Sequence, residues 1–365
     1  MNERTRRGFL ATLGVTALAG CQTPLLGSPG GDGDGGDDAG GDDPVVSEGA
    51  ASVDADWQPD GDVPESVKRY WPAQGPAIQP ANPVENPVIS RKSVDAGMDA
   101  YSFADPFVAW TDRRAYLFFE VKHGSEAQDI GYATSGDFHT WRFQGLALES
   151  PDRVFSYPLV FRHDDRWLMI PSLGTAHPQI EIYQALDFPR RWRVTETITG
   201  LAENLSADAT VWEYEGTTYL MFEDYDDYQA GYYLRLFTAD SLLGGDWTEH
   251  PKSPITHDTD SRAGGRPIVH ENGVDVFRQV RQPAYGHKLI PYRITKLSKQ
   301  RYSERKLPTS PTVVASEEPD TWNEKGMHNA DFLPAYHGVS RYVPVDGKDA
   351  AGTWSVGTYA MQYVA

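Results

Sequence analysis

The sequence predicts an all-β protein whose body, residues 100–365, is a five-bladed β-propeller. From about residue 100, short runs rich in Val, Ile, Tyr, Phe and Trp alternate with Gly, Asp and Pro. Long stretches with the 3.6-residue periodicity of helices are missing from this part of the sequence. The runs also recur as a unit five times, with a period of about 50 residues that is typical of propellers.

Each predicted blade begins with a short strand, and a residue with a polar or charged side chain stands at the start of that strand. These residues are Asp105, Tyr157, Asp208, Arg266 and His328, at spacings of 52, 51, 58 and 62 residues. A propeller built of similar units explains this regularity. The alternative is a β-sandwich in which the spacing is coincidental.

The geometry of a propeller turns this pattern into a predicted site. Neighbouring strands run antiparallel, so the start of each first strand and the end of each second strand meet at one face. We therefore expect the residues at those positions to surround a single funnel. The residues predicted to line it are Asp105, Glu120, Tyr157, Pro171, Asp208, Glu223, Arg266, Arg278, Arg281 and His328.

Four carboxylates in this set are the candidate catalytic groups: Asp105, Glu120, Asp208 and Glu223. Crowded carboxylates move one another's pKa values apart, which separates acid from base roles. Glycoside hydrolysis uses such a pair, roughly 6.5–9.5 Å apart in inverting enzymes. Each residue also has a structural interpretation, because Asp105 can cap a turn before Pro106 and an acid at a strand end is ordinary.

The candidate substrate-binding residues are Tyr157, Arg266, Arg278 and His328. Arg266 would contact an anionic sugar or a phosphate group, since guanidinium groups match such ligands. His328 can instead be a hydrogen-bonded core residue. The remaining aromatic residues near the funnel, which are either sugar platforms or packing residues, are Tyr101, Phe103, Trp212, Tyr225 and Tyr228.

The charge balance bears on partners. The chain carries 52 Asp and Glu against 33 Lys and Arg, a formal charge of −19. It has no basic stripe that could neutralise phosphates, which argues against a nucleic-acid partner. Only 10 of the bases are Lys. An acidic, lysine-poor surface is what we expect of a protein adapted to high salt.

The first 21 residues predict an export signal with a lipid-modification site. Thr5-Arg6-Arg7-Gly8-Phe9-Leu10 resembles the twin-arginine motif, and Leu18-Ala19-Gly20-Cys21 resembles a lipobox after a short apolar stretch. The alternative is a chance arginine pair. A lipid on Cys21 would anchor the protein to the outer face of the cell membrane after export by the twin-arginine route.

Two segments separate this leader from the propeller. Residues 22–60 are predicted to be a disordered acidic Gly/Asp tether, because Gly, Asp, Ser and Ala offer little apolar surface to bury. Residues 61–99 are predicted to be an N-terminal extension that packs on the propeller. Since Cys21 is the only cysteine, no internal disulfide can form, and stability must come from a core.

Several motifs resemble known five-bladed proteins. Ala104-Asp105-Pro106-Phe107 and Phe118-Phe119-Glu120 are similar to the start of glycoside hydrolases of the arabinanase and xylosidase type. Ser156-Tyr157-Pro158-Leu159, Phe188-Pro189-Arg190-Arg191-Trp192 and Asp208-Ala209-Thr210 more closely resemble the N-terminal propeller domain of glucosamine inositolphosphorylceramide transferases. The resemblance extends over roughly residues 100–335.

The resemblance implies a general base at Asp105 and, at Asp208, a second acid that orients the site and tunes its pKa values. The hydrolases' general acid belongs on the fourth blade, where this chain has Gly265-Arg266-Pro267. Glu120 or Glu223 would therefore have to serve as the general acid. No cofactor is predicted; the alternative, which the resemblance implies through the fifth-blade histidine of some of the hydrolases, is a calcium ion near His328. Because the transferases carry their transfer machinery in a separate C-terminal domain, no transferase activity is expected here.

These observations predict a surface-anchored, carbohydrate-active propeller whose partner is a glycan or glycoconjugate. Glycoside hydrolysis would use Asp/Glu acid–base chemistry in the funnel. The alternative is a non-catalytic propeller that binds glycans or proteins. Asp105 and Asp208 favour hydrolysis, whereas Arg266 in the place of the acid favours binding.

Overall fold

The computed structural model describes residues 71–362, apart from residues 95, 112, 126, 175–176, 203, 205, 227–230 and 258. These residues form mainly β-strands in five antiparallel sheets, which confirms the predicted all-β, five-bladed propeller. The predicted leader with Cys21, the tether, and Tyr228 lie outside the described residues. Within the described part of the chain, no helix is both long and apolar enough to span a membrane.

The first strand, β1 (Ile78–Pro80), precedes the blades. Blades I and II are four-stranded sheets whose strands follow one another in chain order. Blade I consists of β2 (Ala100–Trp110), β3 (Ala115–His123), β4 (Ala127–Ser135) and β5 (Arg142–Leu148). Blade II consists of β6 (Ser156–His163), β7 (Arg166–Ser172), β8 (Ile180–Asp187) and β9 (Arg190–Ile198).

Blades III and IV have short extra strands at their edges. Blade III consists of β10 (Ala207–Tyr214), β11 (Thr217–Asp226), β12 (Gly231–Ala239), β13 (Thr248–Glu249) and β14 (Thr256–His257), the last two both paired with β12. Blade IV consists of β15 (Arg262–Ala263), β16 (Ile268–His270), β17 (Gly273–Val280), β18 (Lys288–Ser298), β19 (Arg301–Lys306) and β20 (Val313–Val314). The inner edge of blade IV is therefore split between β15 and β16, which both pair with β17.

Blade V joins the two ends of the described chain. Its strands β21 (Tyr342–Lys348) and β22 (Trp354–Met361) pair with each other, and β1 pairs with β22 on the outside. A short helix, α1 (Leu333–Tyr336), precedes β21. Because β1 comes from the beginning and β22 from the end of the described chain, their pairing closes the ring of blades.

The inner strands of blades I, II and III share one irregularity. Each contains a β-bulge, between Ala104 and Phe107, Ser156 and Leu159, and Ala207 and Thr210. The residues just inside these bulges all have positive φ angles: Asp105 at 54°, Tyr157 at 47° and Asp208 at 53°. Bulges redirect side chains and are common beside active sites. The shared conformation shows that the three positions are structurally equivalent.

The core lies between the faces of neighbouring blades. Phe107 of blade I meets Tyr157 of blade II edge to face, with ring centroids 4.8 Å apart. Every residue of β22 is buried, because blades cover one another on both faces. Burying a large apolar side chain contributes about 1.5–3 kcal/mol. Packing of this kind explains why the blades' strands contain long apolar runs.

A buried ion pair lies where the inner strands meet. Arg266 of blade IV donates to both carboxylate oxygens of Asp331, at 3.2 and 3.0 Å. The same guanidinium donates to the carbonyl oxygens of Val108 in blade I and Val160 in blade II. Asp331 also accepts the peptide N–H of Val108. One ion pair thus connects blades I, II and IV with the segment that leads into blade V.

Candidate functional site

Blade I brings two buried carboxylates to the funnel mouth. Asp105 lies in the bulge of β2, and Glu120 lies on β3 opposite Ala104. Asp105 is 4% exposed, and its Oδ1 has no hydrogen-bond partner among the described residues. The nearest cation to Glu120 is the Lys122 ammonium, 3.4 Å from its Oε1. Burial is the main cause that raises the pKa of both carboxyl groups, and that of Asp105 well above its usual range.

Asp208, on the equivalent bulge of blade III, is held by a guanidinium. Arg262 Nε lies 2.5 Å from Asp208 Oδ2, and Arg262 Nη2 lies 2.9 Å from Oδ1. Gln279 Nε2 and Ser172 Oγ also donate to this carboxylate, at 2.8 and 3.1 Å. A bidentate guanidinium contact stabilises the ionised carboxylate. Asp208 is fully buried, and Arg262, Gln279 and Ser172 hold its side chain in place.

Glu223, at the funnel end of β11, is held in the same way. Arg281 Nη2 donates to both of its carboxylate oxygens, and Ser261 Oγ donates to Oε1 at 2.7 Å. Arg262 Nη1 lies 3.7 Å from Glu223 Oε2. Arg262 thus bridges Asp208 and Glu223, and each of these two carboxylates has its own guanidinium.

A histidine from blade V faces the blade I carboxylates. His328 Nδ1 lies 2.7 Å from Asp346 Oδ2 and 3.7 Å from Asp105 Oδ1. Its ring stacks on Trp354, with centroids 3.9 Å apart. Burial alone would lower the pKa of His328, but the carboxylates of Asp346 and Asp105 raise it above its usual value.

Tyr285 forms the exposed rim of the mouth. Its residue surface is 37% exposed, and its ring meets that of His328 edge to face at 5.6 Å. The guanidinium carbons of Arg262 and Arg281 lie 5.6 and 5.5 Å from its ring centre. Arg281 also lies 4.2 Å from the ring centre of Tyr232. The rim is therefore an aromatic surface bordered by cations.

The loop that carries Tyr285 requires glycine at position 286. Gly286 has a φ of +69°, a conformation that side chains with a Cβ rarely adopt. A Cβ there would lie 2.6 Å from His328 Cδ2 and 3.0 Å from a ring carbon of Trp354. This close approach positions Tyr285 over His328.

Blade IV places glycine where the other blades place a side chain. A Cβ on Gly264 would lie 2.3 Å from the carbonyl oxygen of His328, and one on Gly265 would lie 2.3 Å from that of Ala330. The backbone of blade IV therefore packs directly against blade V at this point. Among the described residues, no blade IV carboxylate occupies the mouth position that corresponds to Asp105.

The other predicted site residues form contacts between or within blades. The buried Tyr157 hydroxyl donates to the carbonyl oxygen of Gly265 at 3.1 Å and accepts the Gly265 N–H at 3.0 Å. Arg266 lies in the ion pair with Asp331 described above. Arg278 pairs with Glu304 on β19, and its guanidinium carbon lies 4.3 Å from the Tyr292 ring centre. The predicted site residues that do gather at the mouth are Asp105, Glu120, Asp208, Glu223 and His328.

Sequence reasoning missed Arg262 and Asp346. Arg262 lies on the two-residue strand β15, which has no hydrophobic pattern to reveal it. Asp346 follows the apolar run Val343-Pro344-Val345, much as Glu120 and Glu223 follow theirs. An acid at the end of a second strand was therefore a usable signal for Asp346.

The calcium ion that the resemblance implies does not match the residues near His328. One ligand atom each from Asp105, His328 and Asp346 lie within 4.8 Å of one another. Ca²⁺ takes six to eight oxygen ligands. Asp346 Oδ1 accepts two peptide N–H groups, and Oδ2 accepts a third beside the imidazole. The two oxygens of Asp105 are then the carboxylate oxygens of these three residues to which no described group donates a hydrogen bond, and two are too few for a calcium shell.

The mouth thus offers two kinds of chemistry. Arg262 and Arg281 are partly exposed, at 20% and 21% of their side chains, yet each already contacts a carboxylate. Because a carboxylate already balances the charge of each guanidinium, both can donate further hydrogen bonds to a ligand without presenting a net positive charge to it. Asp105 and Glu120, by contrast, have no guanidinium partner among the described residues and their pKa values are raised by burial. Buried carboxyl groups with raised pKa values are candidate proton donors and acceptors.

Several solved structures share this fold. A glycosyl hydrolase from Bacteroides ovatus matches with a TM-score of 0.57 and 12% identity, over 78% of this chain and 93% of that one. A thermostable family-43 glycoside hydrolase gives 0.56 and 13%, over 78% and 96%. The catalytic domain of the Coprinopsis cinerea GH62 α-L-arabinofuranosidase gives 0.53 and 13%, over 79% and 98%. At this identity the likeness establishes a common fold.

Sequence comparison establishes the family. Glucosamine inositolphosphorylceramide transferase 1 of Oryza sativa subsp. japonica is 31% identical over 258 residues, which are 68% of this chain and 34% of that protein. The Arabidopsis thaliana protein of the same name is 32% identical over 257 residues, 68% of this chain and 33% of that protein. The chain thus matches about a third of the length of these relatives. Residues 69–344 match the family described as glucosamine inositolphosphorylceramide transferase 1, N-terminal, and the chain belongs to that family.

Proposed function

We propose that the funnel mouth binds a glycan or glycoconjugate. The observation that carries this proposal is the partly exposed residue Tyr285, whose ring is bordered by Arg262, Arg281 and His328. A sugar ring has an apolar C–H face that packs on an aromatic ring, and hydroxyl groups at its edge that bond to polar side chains. Ligand sites typically combine an aromatic wall with a few convergent polar groups in this manner.

The charges at the mouth favour a neutral sugar at this position. Arg262 contacts Asp208, and Arg281 contacts Glu223. A phosphate or sulfate group would have to compete with these carboxylates for the guanidinium groups. Sugar hydroxyls can instead accept from the partly exposed guanidinium groups without breaking either ion pair.

The comparisons support a carbohydrate ligand. The curated relatives are named as transferases of glucosamine and inositolphosphorylceramide, and the solved neighbours include glycoside hydrolases. Those names describe the relatives and neighbours. For this chain they support a sugar-containing ligand, and the proposal does not include transferase activity.

A second candidate function is glycoside hydrolysis through Asp105 and Glu120. It is favoured by the raised pKa values of these two carboxyl groups, which lie in one blade and lack guanidinium partners among the described residues. If one of the two is protonated, it can donate its proton to the glycosidic oxygen as the bond to the anomeric carbon breaks. The other carboxylate accepts a proton from the water that adds to that carbon.

A ligand screen tests binding and hydrolysis together. The full chain would be incubated at high salt with aryl glycosides and polysaccharides, and in parallel applied to a glycan array. Binding without turnover supports the first proposal and contradicts the second. If turnover is observed, Asp105→Asn is expected to abolish it while Tyr214→Ala, a change on a half-buried tyrosine at the other end of β10, leaves it unchanged. Unchanged turnover in Asp105→Asn contradicts the hydrolytic assignment.

We also propose that the protein is exported by the twin-arginine route and anchored through a lipid on Cys21. The support is the order of the two motifs in residues 5–21. In this arrangement the propeller lies on the outer face of the cell membrane, at the end of an acidic tether. Membrane fractionation tests it: Cys21→Ser should release the protein from the membrane, and retention of the variant would contradict the anchor.

A further inference from the structure

We infer that Asp346 is the positioning residue of the funnel mouth, which holds the Asp105 peptide and the His328 imidazole together as one unit. The inference deepens the proposed glycan site, because Asp105 and His328 are two of the polar groups offered to the ligand there. Asp346 is itself fully buried and does not need to touch a ligand. Its role follows from its contacts to both groups.

The first set of contacts fixes the backbone on both sides of the mouth. Asp346 Oδ2 accepts the peptide N–H of Asp105 at 3.1 Å, across the boundary between blades V and I. Its Oδ1 accepts the N–H groups of His328 and Asn329, both at 2.9 Å. Asp105 has a positive φ angle, which costs energy for a residue with a Cβ. The bond from Asp346 offsets part of that cost and holds the bulge in place.

The second contact is with the imidazole. Asp346 Oδ2 lies 2.7 Å from His328 Nδ1, an ion-pair distance at which the geometry does not make a hydrogen bond. The ring itself is clamped between Trp354, stacked at 3.9 Å, and the edge of Tyr285. The carboxylate therefore acts on the ring through its charge, and the two aromatic side chains fix the ring's orientation.

Every charged group around His328 takes part in this balance. The carboxylates of Asp346 and Asp105 favour the imidazolium, whereas burial and the Arg262 guanidinium oppose it. Glu120 also interacts with the imidazolium, which partly opposes the rise that burial causes in the pKa of that carboxyl group. The two carboxylates outweigh the opposing effects, and Asp346 contributes the largest share. The charged ring donates from both nitrogens, whereas the neutral ring donates from one nitrogen and accepts at the other.

The test is a histidine titration that needs no glycan, so this inference and the proposed function can fail separately. The Cε1–H resonances of the ten histidines would be followed by NMR against pH, with His328→Gln used to identify the His328 signal. In Asp346→Asn, His328 is expected to titrate at lower pH than in the wild type. A titration at the wild-type pH overturns the inference.

Asp129→Asn is the matched control. Asp129 is a buried carboxylate whose Oδ2 lies 2.7 Å from His123 Nε2, a contact as short as that between Asp346 and His328. It lies in blade I and does not contact the His328 ring. Asp129→Asn should leave the His328 titration unchanged, so a change in both variants would indicate a general loss of structure and contradict a specific role for Asp346.

A second measurement uses the wild-type protein alone, in case Asp346→Asn does not fold. Hydrogen exchange of the peptide N–H groups of Asp105, His328 and Asn329 reports whether the Asp346 carboxylate holds them. The inference requires all three N–H groups to be protected from exchange. Rapid exchange of the Asp105 N–H would overturn it, because that group would then not be bonded to Asp346.

Discussion

Arg266 of blade IV and Asp331, just before α1, form a two-point ion pair with N–O distances of 3.2 and 3.0 Å. Both side chains are almost completely buried. The guanidinium also bonds the Val108 and Val160 carbonyl oxygens, so its donors are used within the propeller. This pair is a structural brace, because it connects neighbouring blades. Arg266 has no role in binding a ligand, and other cations must fill that role.

We expect Arg266→Met to destabilise the fold by about 3–5 kcal/mol, because it leaves the buried Asp331 carboxylate unpaired. The measurement is urea unfolding followed by tryptophan fluorescence. The double variant Arg266→Met with Asp331→Leu removes both charges and should recover part of the loss. If the single variant unfolds at the wild-type urea concentration, the pair is not a structural brace.

The pKa of Asp105 predicts a pH-dependent gain in stability for Asp105→Asn. Burial raises this pKa above the ordinary value of 3.8. As the pH rises above 3.8, the unfolded chain therefore releases the Asp105 proton while the folded protein still holds it. The free energy of unfolding of the wild type therefore falls as the pH rises through the folded-state pKa. Asp105→Asn lacks this loss, so it should exceed the wild type in stability at high pH and equal it at low pH.

Asp137→Asn provides a comparison of opposite sign. Partial burial opposes ionisation of Asp137, but the peptide N–H groups of Thr140 and His139 lower its pKa below the usual value. Its stabilising effect is present above the unfolded-state pKa and is lost as the pH falls. Asp137→Asn should therefore lose stability at neutral pH and little at acidic pH. Parallel curves for the Asp105 and Asp137 variants would contradict both assignments.

Gly286→Ala should disturb the mouth, because its Cβ would lie 2.6 Å from His328 Cδ2. The backbone strain at φ +69° should cost about 1–3 kcal/mol. Gly216 has a similar φ of +71° but open space around a Cβ, so Gly216→Ala shares the strain without the clash. Urea unfolding should show a loss in both variants, whereas the His328 NMR signal should move only in Gly286→Ala. A His328 signal unchanged in Gly286→Ala would contradict the packing of this loop on the imidazole.

The blade pattern was readable from sequence because each blade buries its strands in the same way. Tyr116–Glu120 and Tyr219–Glu223 show the shared form, an apolar run that closes with an acid at the mouth. Those apolar runs are buried between neighbouring blades, so packing imposes the repeat. The residues Asp105, Tyr157 and Asp208 fall on equivalent bulges for the same reason.

The site was less predictable where the fourth and fifth blades depart from that pattern. In blade IV, Gly264 and Gly265 lie at the mouth. Arg266, which the sequence pattern aligned with Asp105, lies inside the propeller instead, where it pairs with Asp331. The ion pair between Arg262 and Asp208 joins blades III and IV across 54 residues of sequence, and no local pattern encodes such a contact. The positions of Tyr157 and Arg278 were predictable, but their bonding partners were not.

The central claim is that Tyr285 and the groups around it form a glycan-binding mouth. Isothermal titration of the full chain with the glycan that binds best on the array tests it directly, in the wild type, Tyr285→Ala and the control Tyr214→Ala. Removing an anchoring aromatic side chain typically costs more than 1 kcal/mol, so Tyr285→Ala should weaken binding about 5-fold or more. Tyr214→Ala should bind like the wild type. Equal affinity of the wild type and Tyr285→Ala would contradict the claim.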